Sequence, residues 1–220
     1  MTTIERRYDM LADAGPRGAE PDAPTDAVFD AVADARCRSL LDHLAERADG
    51  ERIETAVADL ADEVDVDCLH HAVLPKLDDA GFLDYDAESR TVSYRSEPRL
   101  EAVLAATDDL DELAEVGLDA LLDALGDFRR RCVLAALLSH ADLPLADLAD
   151  EVTVEERGRP LSSVDAQTVL EVYLSLYHTH VPKLSDAGLV AYDQQRDLVA
   201  LTDAGRELEP AVRSLCSSIE

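Results

Sequence analysis

Apolar residues recur at helical spacing in several stretches of the chain, and these stretches form two similar sets. The first set contains Val28, Phe29, Val32, Leu40, Leu41 and Leu44, and the second contains Leu121, Leu122, Leu125, Val133, Leu134 and Leu137. Farther along, the segment ADLADEV occurs at residues 58–64 and again at 146–152, with its apolar side chains on one helical face. The pattern therefore predicts that each set opens with helices.

An internal repeat explains why the sets resemble each other. Residues 69–86 and 176–193 are identical at 10 of 18 positions, and residues 26–38 align with 119–131. The first copy has five more residues near positions 48–54, and the second has nineteen more at about 153–171. Surface loops tolerate such length changes.

A different pattern follows Gly81 and Gly188, which are suitable residues to end a helix. In both copies apolar and polar residues then alternate on either side of a short polar turn, which predicts a β-hairpin. Pro75 and Pro182 lie within the preceding helical pattern and indicate either a kink or a helix that begins near them.

The predicted fold class is mainly α with small β-hairpins (α+β), as a tandem winged helix-turn-helix protein. Residues 25–107 form the first winged-helix domain, and residues 118–217 form the second. Residues 108–117, with Leu110, Leu113 and Val116, are predicted to be a connector helix. Residues 1–24 are predicted to be a disordered acidic tail.

The amino-acid composition indicates the solvent conditions in which the protein folds. The formal net charge is −28, only Lys76 and Lys183 are lysines among 20 basic residues, and Asp is abundant, as in proteins of halophiles. At molar salt the Debye length is about 3 Å, so repulsion among carboxylates is screened. With neither a membrane-spanning run nor a secretory signal, we expect a cytoplasmic protein.

Three segments carry a resemblance to a known family. They are the block around Arg129–Leu134, LADLADEV at Leu145–Val152, and LSLYHTHVPKLSDAGLVAYD at Leu174–Asp193. The chain resembles a haloarchaeal winged helix-turn-helix domain family of unknown function, which is similar to archaeal transcriptional regulators. The resemblance is stronger over 118–201 than over 26–94. It implies DNA binding by analogy of fold.

Candidate DNA-binding residues follow from the way winged helices dock, with the third helix in the major groove and the hairpin on the backbone. Both lysines fall at matching positions of the predicted third helices, and arginines lie in both hairpin turns. The candidates are His70, His71, Lys76, Arg90, Tyr177, His178, Thr179, His180, Lys183 and Arg196.

Structural alternatives exist for several of these residues. The lysines could cover apolar surface with their stems, and Arg129, Arg130 and Arg131 are expected to form ion pairs rather than bind phosphate. Four scattered cysteines and histidines two residues apart do not form a metal chelate. No phosphate-binding glycine loop or catalytic motif is present. We therefore expect no catalytic residues, no metal and no cofactor.

The function expected from the sequence is a halophilic DNA-binding transcriptional regulator with two winged-helix modules. Its partners are expected to be double-stranded DNA and a second copy in a homodimer, with no membrane. The alternative is a non-enzymatic protein-interaction or dimerisation module that uses the same fold without binding DNA. In either case the first copy is the better candidate for a scaffold.

Overall fold

The computed structural model describes residues 25–48, 54–60, 66–108, 110 and 116–217. The first copy opens with two helices, α1 (Thr25–Ala33) and α2 (Ala35–Ala48). A short strand β1 (Glu54–Ala56) leads into a 3₁₀ turn at Val57–Leu60. Helix α3 covers residues 66–79, followed by strands β2 (Leu83–Asp86) and β3 (Thr91–Tyr94) and helix α4 (Pro98–Asp108).

The second copy repeats this order. It contains α5 (Leu118–Leu125), α6 (Phe128–His140), strand β4 (Asp142–Pro144) and α7 (Leu145–Arg157). A 3₁₀ turn at Leu161–Ser163 precedes α8, which covers residues 166–186. Strands β5 (Val190–Asp193) and β6 (Leu198–Leu201) follow, and then helices α9 (Asp203–Glu207) and α10 (Glu209–Ser217). The described residues are thus mainly helical with small antiparallel sheets, which confirms the coarse fold class.

Each copy holds one three-stranded antiparallel sheet in which the last strand is central. The orders are β1-β3-β2 and β4-β6-β5. The two predicted hairpins are present, with Leu83 opposite Tyr94 and Val190 opposite Leu201. The sequence pattern did not reveal β1 and β4, because each has only three residues and pairs with a strand distant in the chain.

Helices α3 and α8 both contain one π-helical turn, at Leu69–Val73 and Leu176–His180. In each turn the next residue donates to a carbonyl five positions back, from Leu74 N to Leu69 O and from Val181 N to Leu176 O. The prolines follow directly, and the wider turn relieves the clash of a proline ring with the carbonyl four residues earlier. The helices therefore continue through Pro75 and Pro182, and their α-helical parts restart at Leu74 and Val181, so that each proline lies in a first turn, in agreement with the predicted helix start near the proline.

The nineteen-residue insertion lengthens two helices of the second copy. It carries α7 to Arg157, where Gly158 ends the helix in a left-handed conformation (φ 60°), and it supplies the first turns of α8. As a result α8 spans 21 residues, whereas its counterpart α3 spans 14.

The two copies pack on each other through α1 and α5. Arg131 Nη2 lies 2.7 Å from Asp26 Oδ1, and Arg38 Nη2 lies 2.7 Å from Asp119 Oδ1. These four residues are equivalent in pairs, since Asp26 and Arg38 align with Asp119 and Arg131 in the repeat. The same two arginines also donate to matching carbonyls, Val32 O and Leu125 O. Such reciprocal contacts define an isologous interface, so the copies are related by an approximate two-fold axis.

Buried side chains connect this interface to both cores. Arg131 is 1% exposed, and its guanidinium carbon lies 5.7 Å from the ring centre of Phe29 and 5.9 Å from that of Phe128. Helix α10 of the second copy also packs against α4 of the first.

Some predicted segments lie outside the described residues. These are the tail, residues 1–24, and residues 109 and 111–115 of the predicted connector, including Leu113. Leu110 lies in a turn, and Val116 is buried. Within the described part of the chain, no helix has the length and apolar character needed to cross a membrane.

Candidate nucleic-acid interface

The C-terminal half of α8 exposes four of the ten predicted DNA-binding residues. Tyr177, His178, Thr179 and Lys183 are all exposed, and we call these four residues the polar end of α8. The Tyr177 ring lies edge-on to His178, at 4.8 Å between ring centres, and edge-on to Tyr192 of β5, at 6.1 Å. The neighbouring strand therefore orients the exposed tyrosine.

The two lysines, equivalent in sequence, differ in their contacts. Lys76 Nζ donates to Asp30 O (2.9 Å) and lies 3.0 Å from Asp30 Oδ2, so it ties α3 to α1. Lys183 is exposed and has no ion-pair partner among the described residues, although Asp123, the counterpart of Asp30, is present on α5. Lys76 therefore contributes to the packing of α3 on α1, although its side chain is 37% exposed.

His180 lies apart from the other histidines of α8, because it is only 7% exposed. Its Nδ1 lies 3.4 Å from Asp127 Oδ1 without a hydrogen bond, and burial lowers its pKa. The π-helical turn directs it toward the N-terminus of α6. His180 is thus a core residue, and its equivalent in the first copy is the buried Val73.

The first copy offers less free polar surface on α3. His70 is half-buried, and its Nδ1 lies 2.5 Å from the hydroxyl of Tyr85 on β2. His71 is exposed, with Asp78 and Asp79 exposed farther along the same helix. This arrangement agrees with a scaffold role for the first copy.

Both predicted hairpin arginines are exposed in the turns between strands. Arg90 adopts a left-handed backbone (φ 57°), and its carbonyl accepts from Val57 N. Its structural counterpart is Asp197 (φ 51°), whose carbonyl accepts from Leu145 N. Arg196 is the residue before, so the two arginines lie in the same turn but not at equivalent positions.

The Arg129–Arg131 run serves the fold, as the sequence favoured. Asp127 caps α6 by accepting from the backbone N–H groups of Arg129 and Arg130. Arg129 Nε then donates to Glu156 Oε2 on α7 (2.7 Å), and Arg130 Nε donates to Ala124 O (2.9 Å). With Arg131 in the inter-copy interface, these guanidinium groups are occupied by protein.

An exposed apolar stripe on the N-terminal half of α8 is the feature that the sequence reading missed. It consists of Leu170 (47% exposed), Leu174 (43%) and Tyr177 (36%), with half-buried Tyr173 stacked on Tyr177 at 6.5 Å. The spacing i, i+3, i+4, i+7 is visible in the sequence. It falls partly in the nineteen-residue insertion, for which the repeat gives no counterpart.

Local charge also sets this helix apart. Residues 157–186 contain three basic and three acidic residues, so they carry no net charge in a chain at −28. Because the rest of the chain is strongly acidic, this segment is a natural place for a macromolecule to approach.

Two further features of the described residues are relevant to binding, the potential metal-ligating groups and a surface cleft. No set of three or more His, Cys, Asp or Glu side chains there could hold a metal ion. A surface cleft of about 570 Å³ lies between the copies. Two of its carboxylates are paired with cations that also line it, Asp34 with Arg36 at 2.6 Å and Asp30 with Lys76 at 3.0 Å. The guanidinium of Arg36 lowers the pKa of Asp34 to about 2.

Comparison with known proteins identifies the repeated unit. No curated protein and no solved structure matches the chain. Residues 30–93 and 122–200 each match a family described as a domain of unknown function, DUF7344. These segments contain one copy of the repeat each, with its hairpin. Since together they cover more than half of the chain, the protein belongs to the DUF7344 family, whose domain is found here in two segments.

Proposed function

We propose that this protein is a DNA-binding transcriptional regulator of a halophilic archaeon, built from two winged helix-turn-helix modules. The third helix of the winged-helix motif, which directly precedes the hairpin, is α3 in the first copy and α8 in the second. The wing is the hairpin β2–β3 in the first copy and β5–β6 in the second. The order of helices and the three-stranded sheet with a central last strand support this assignment.

One observation carries the proposal. The polar end of α8 exposes an aromatic ring, an imidazole, a hydroxyl and an unpaired ammonium group in a segment without net negative charge. Hydroxyl and imidazole groups can hydrogen-bond to base edges, and a lysine can contact phosphate. We assign base reading to Tyr177, His178 and Thr179, and backbone positioning to Lys183 and Arg196.

The first copy acts as a scaffold in this proposal. Lys76 is held by Asp30, and His70 by Tyr85, so α3 has fewer free groups than α8. The isologous interface through α1 and α5 holds this module against the reading module. His71 and Arg90 remain exposed and could contribute secondary backbone contacts.

High salt shapes the expected binding. Counterion release normally weakens protein–DNA complexes by several powers of ten as salt rises. A protein with one or two free cations in its interface depends little on that effect. Affinity at molar salt then comes from base contacts and buried surface.

The test compares two lysine variants in one binding assay. Fluorescence anisotropy is measured on a duplex from upstream of the protein's own coding sequence and on a scrambled duplex, over a KCl series. We expect Lys183→Ala to weaken binding to both duplexes and to reduce the salt slope by about 1. His178→Ala should reduce the preference for the upstream duplex.

Lys76→Ala is the matched control, because it removes the same group at the equivalent position. We expect it to leave DNA affinity unchanged once circular dichroism shows that it is folded. If the wild type never distinguishes the duplexes, the DNA-binding proposal is wrong and the protein-interaction alternative stands. If Lys76→Ala loses as much affinity as Lys183→Ala, the scaffold assignment is wrong.

A further inference from the structure

We infer that the apolar stripe of α8 (Leu170, Tyr173, Leu174 and Tyr177) is a docking surface for a second copy of this chain, packed antiparallel about a two-fold axis near Leu174. The inference does not require the proposed DNA binding, because it rests on the exposure of this stripe and concerns self-association without nucleic acid, although Tyr177 also belongs to the polar end of α8.

Exposure is the first observation. Leu170, Leu174 and Tyr177 are the exposed large apolar side chains in the described part of the chain, and all three lie on one helix. Single exposed apolar residues are ordinary, but a contiguous set marks an interaction site. The tyrosines are already ordered, since Tyr173 stacks on Tyr177 with 10° between the ring planes.

The internal two-fold arrangement leaves this stripe uncovered. Helix α3 begins at Val66, and the positions equivalent to Tyr173, Leu174 and Tyr177 are Val66, Asp67 and His70. The described part of the first copy therefore has no matching stripe, and no described residue covers the stripe of α8.

Charge argues that the partner of this stripe is another copy. Two chains at −28 repel each other, whereas residues 157–186 carry three basic and three acidic residues and no net charge. Depletion of charge and enrichment in tyrosine characterise the centres of protein interfaces. Repulsion between like chains is therefore smaller at this segment than the net charge of the whole chain would give.

The polar residues beside the stripe complement each other under two-fold symmetry. Exposed Glu171 and exposed His178 lie on either side of Leu174 at nearly equal distances along the sequence. Antiparallel packing brings each Glu171 opposite the second copy's His178, where the carboxylate can accept from the imidazole N–H. Leu170 then comes close to the second copy's Tyr177, and the two Leu174 side chains meet at the axis. One helix thus supplies both sides of a self-complementary contact.

One consequence does rest on the proposed function. Tyr177 and His178 belong both to this contact and to the polar end of α8. A second copy and a DNA duplex would therefore compete for the same part of the helix.

The experiment measures self-association of the full chain without DNA, by sedimentation equilibrium over a hundredfold range of concentration in molar KCl. We expect the wild type to form a dimer and Leu170→Ser/Leu174→Ser to be a monomer. Both substitutions are on exposed positions, so circular dichroism should show an unchanged fold. A wild type that is monomeric throughout, or a dimer that persists in the double variant, overturns the inference.

Charge exchange tests the antiparallel arrangement. Glu171→Arg places an arginine opposite the second copy's His178, and His178→Glu places a glutamate opposite the second copy's Glu171. We expect each substitution to weaken the dimer at least tenfold. The combined variant Glu171→Arg/His178→Glu restores opposite charges and should regain most of the affinity. Failure of this rescue would show that the proposed pairing is wrong.

Two further measurements complete the design. Glu88→Arg is the matched control, since it makes the same charge change in the exposed β2–β3 turn and should leave the dimer unchanged. DNA binding of Leu170→Ser/Leu174→Ser separates the two proposals. A monomeric variant that still prefers the upstream duplex shows that DNA binding survives loss of the dimer, whereas a dimer without DNA preference leaves only self-association.

Discussion

Two equivalent aspartates, Asp34 and Asp127, show how single contacts make the two copies different. Each precedes a helix and accepts a backbone N–H, from Arg36 and from Arg129. Asp34 also binds the Arg36 guanidinium, whereas Asp127 faces the buried imidazole of His180. Whether the charge of such a contact changes with pH near neutrality therefore depends on the residue that the aspartate faces, Arg36 or His180.

His180 gives the first prediction. Burial lowers its pKa in the folded state below the value of about 6.5 expected when the chain is unfolded. Between those two pKa values the unfolded chain binds a proton that the folded protein does not. The free energy of unfolding should therefore fall as the pH decreases below about 6.5, and His180→Val should reduce this loss. Val73, buried at the equivalent position, shows that the fold accepts valine there.

Chemical denaturation at pH 8 and pH 5 measures the effect. The matched control is His178→Val, which removes an exposed imidazole and should keep the pH dependence of the wild type. Equal losses of stability in wild type and His180→Val would contradict the assigned cause.

At the scale of elements, sequence periodicity predicts most of the helices and hairpins, because an element that buries one face carries apolar residues at regular spacing. The opening helices, the two hairpins and the long helix of each copy follow from apolar spacing. The short strands β1 and β4 depend on pairing with β3 and β6, far along the chain. The π-helical turns are invisible for another reason, since a proline is compatible with a kink, a helix start or a wider turn.

The contacts of the candidate site also could not be predicted from the sequence alone. Lys76 and Lys183 have similar sequence surroundings, PKL in both copies, and both have an aspartate available at equivalent positions, Asp30 and Asp123. Only the packed structure shows that Lys76 uses its aspartate while Lys183 remains free. Periodicity likewise could not show that His180 faces the core, because the π-helical turn shifts the helical register just before it.

Gly205 of α9 supplies the prediction at this scale. A Cβ atom built there would lie 2.1 Å from Leu189 O, the carbonyl that precedes β5. Backbone must move to accommodate it, and we expect Gly205→Ala to lower the free energy of unfolding by about 1–3 kcal/mol. Gly117→Ala is the control, since no atom lies within 4 Å of its Cβ position and its φ is −61°. Because Gly117 is the N-cap of α5, where alanine is less favourable than glycine, urea denaturation should show a smaller loss of about 0.5–1 kcal/mol for the control; equal effects would contradict the packing argument.

At the scale of the whole molecule, the reciprocal ion pairs join the two modules, and we expect the modules to unfold as one unit. Arg131 is buried between Phe29 and Phe128, so Arg131→Ala removes packing and a guanidinium donor from Leu125 O. We expect a loss of about 2–4 kcal/mol and separation of one unfolding transition into two in calorimetry. Arg38→Ala, at the equivalent but more exposed position, should cost about 1 kcal/mol and keep a single transition. Equal costs would show that the interface does not depend on burial of Arg131.

Net charge leads to a further whole-molecule prediction. Repulsion among the acidic side chains is long-ranged at low ionic strength and is screened at high ionic strength. The melting temperature should rise as KCl increases from millimolar to molar concentration, and it should rise less for a variant with several exposed acidic residues neutralised. A melting temperature that is constant over this range would contradict a dominant role for charge repulsion.

The reciprocal contacts between α1 and α5 have a consequence for stoichiometry. In an assembly of separate identical subunits, dilution separates the halves, and each substitution appears on both sides. Here the two halves are covalently joined, so their pairing does not depend on protein concentration. Each half can also change independently of the other, as the equivalent positions Val73 and His180 show. A covalently joined pair of this kind can therefore bind a target that lacks two-fold symmetry. Two separate identical subunits do not fit such a target equally well.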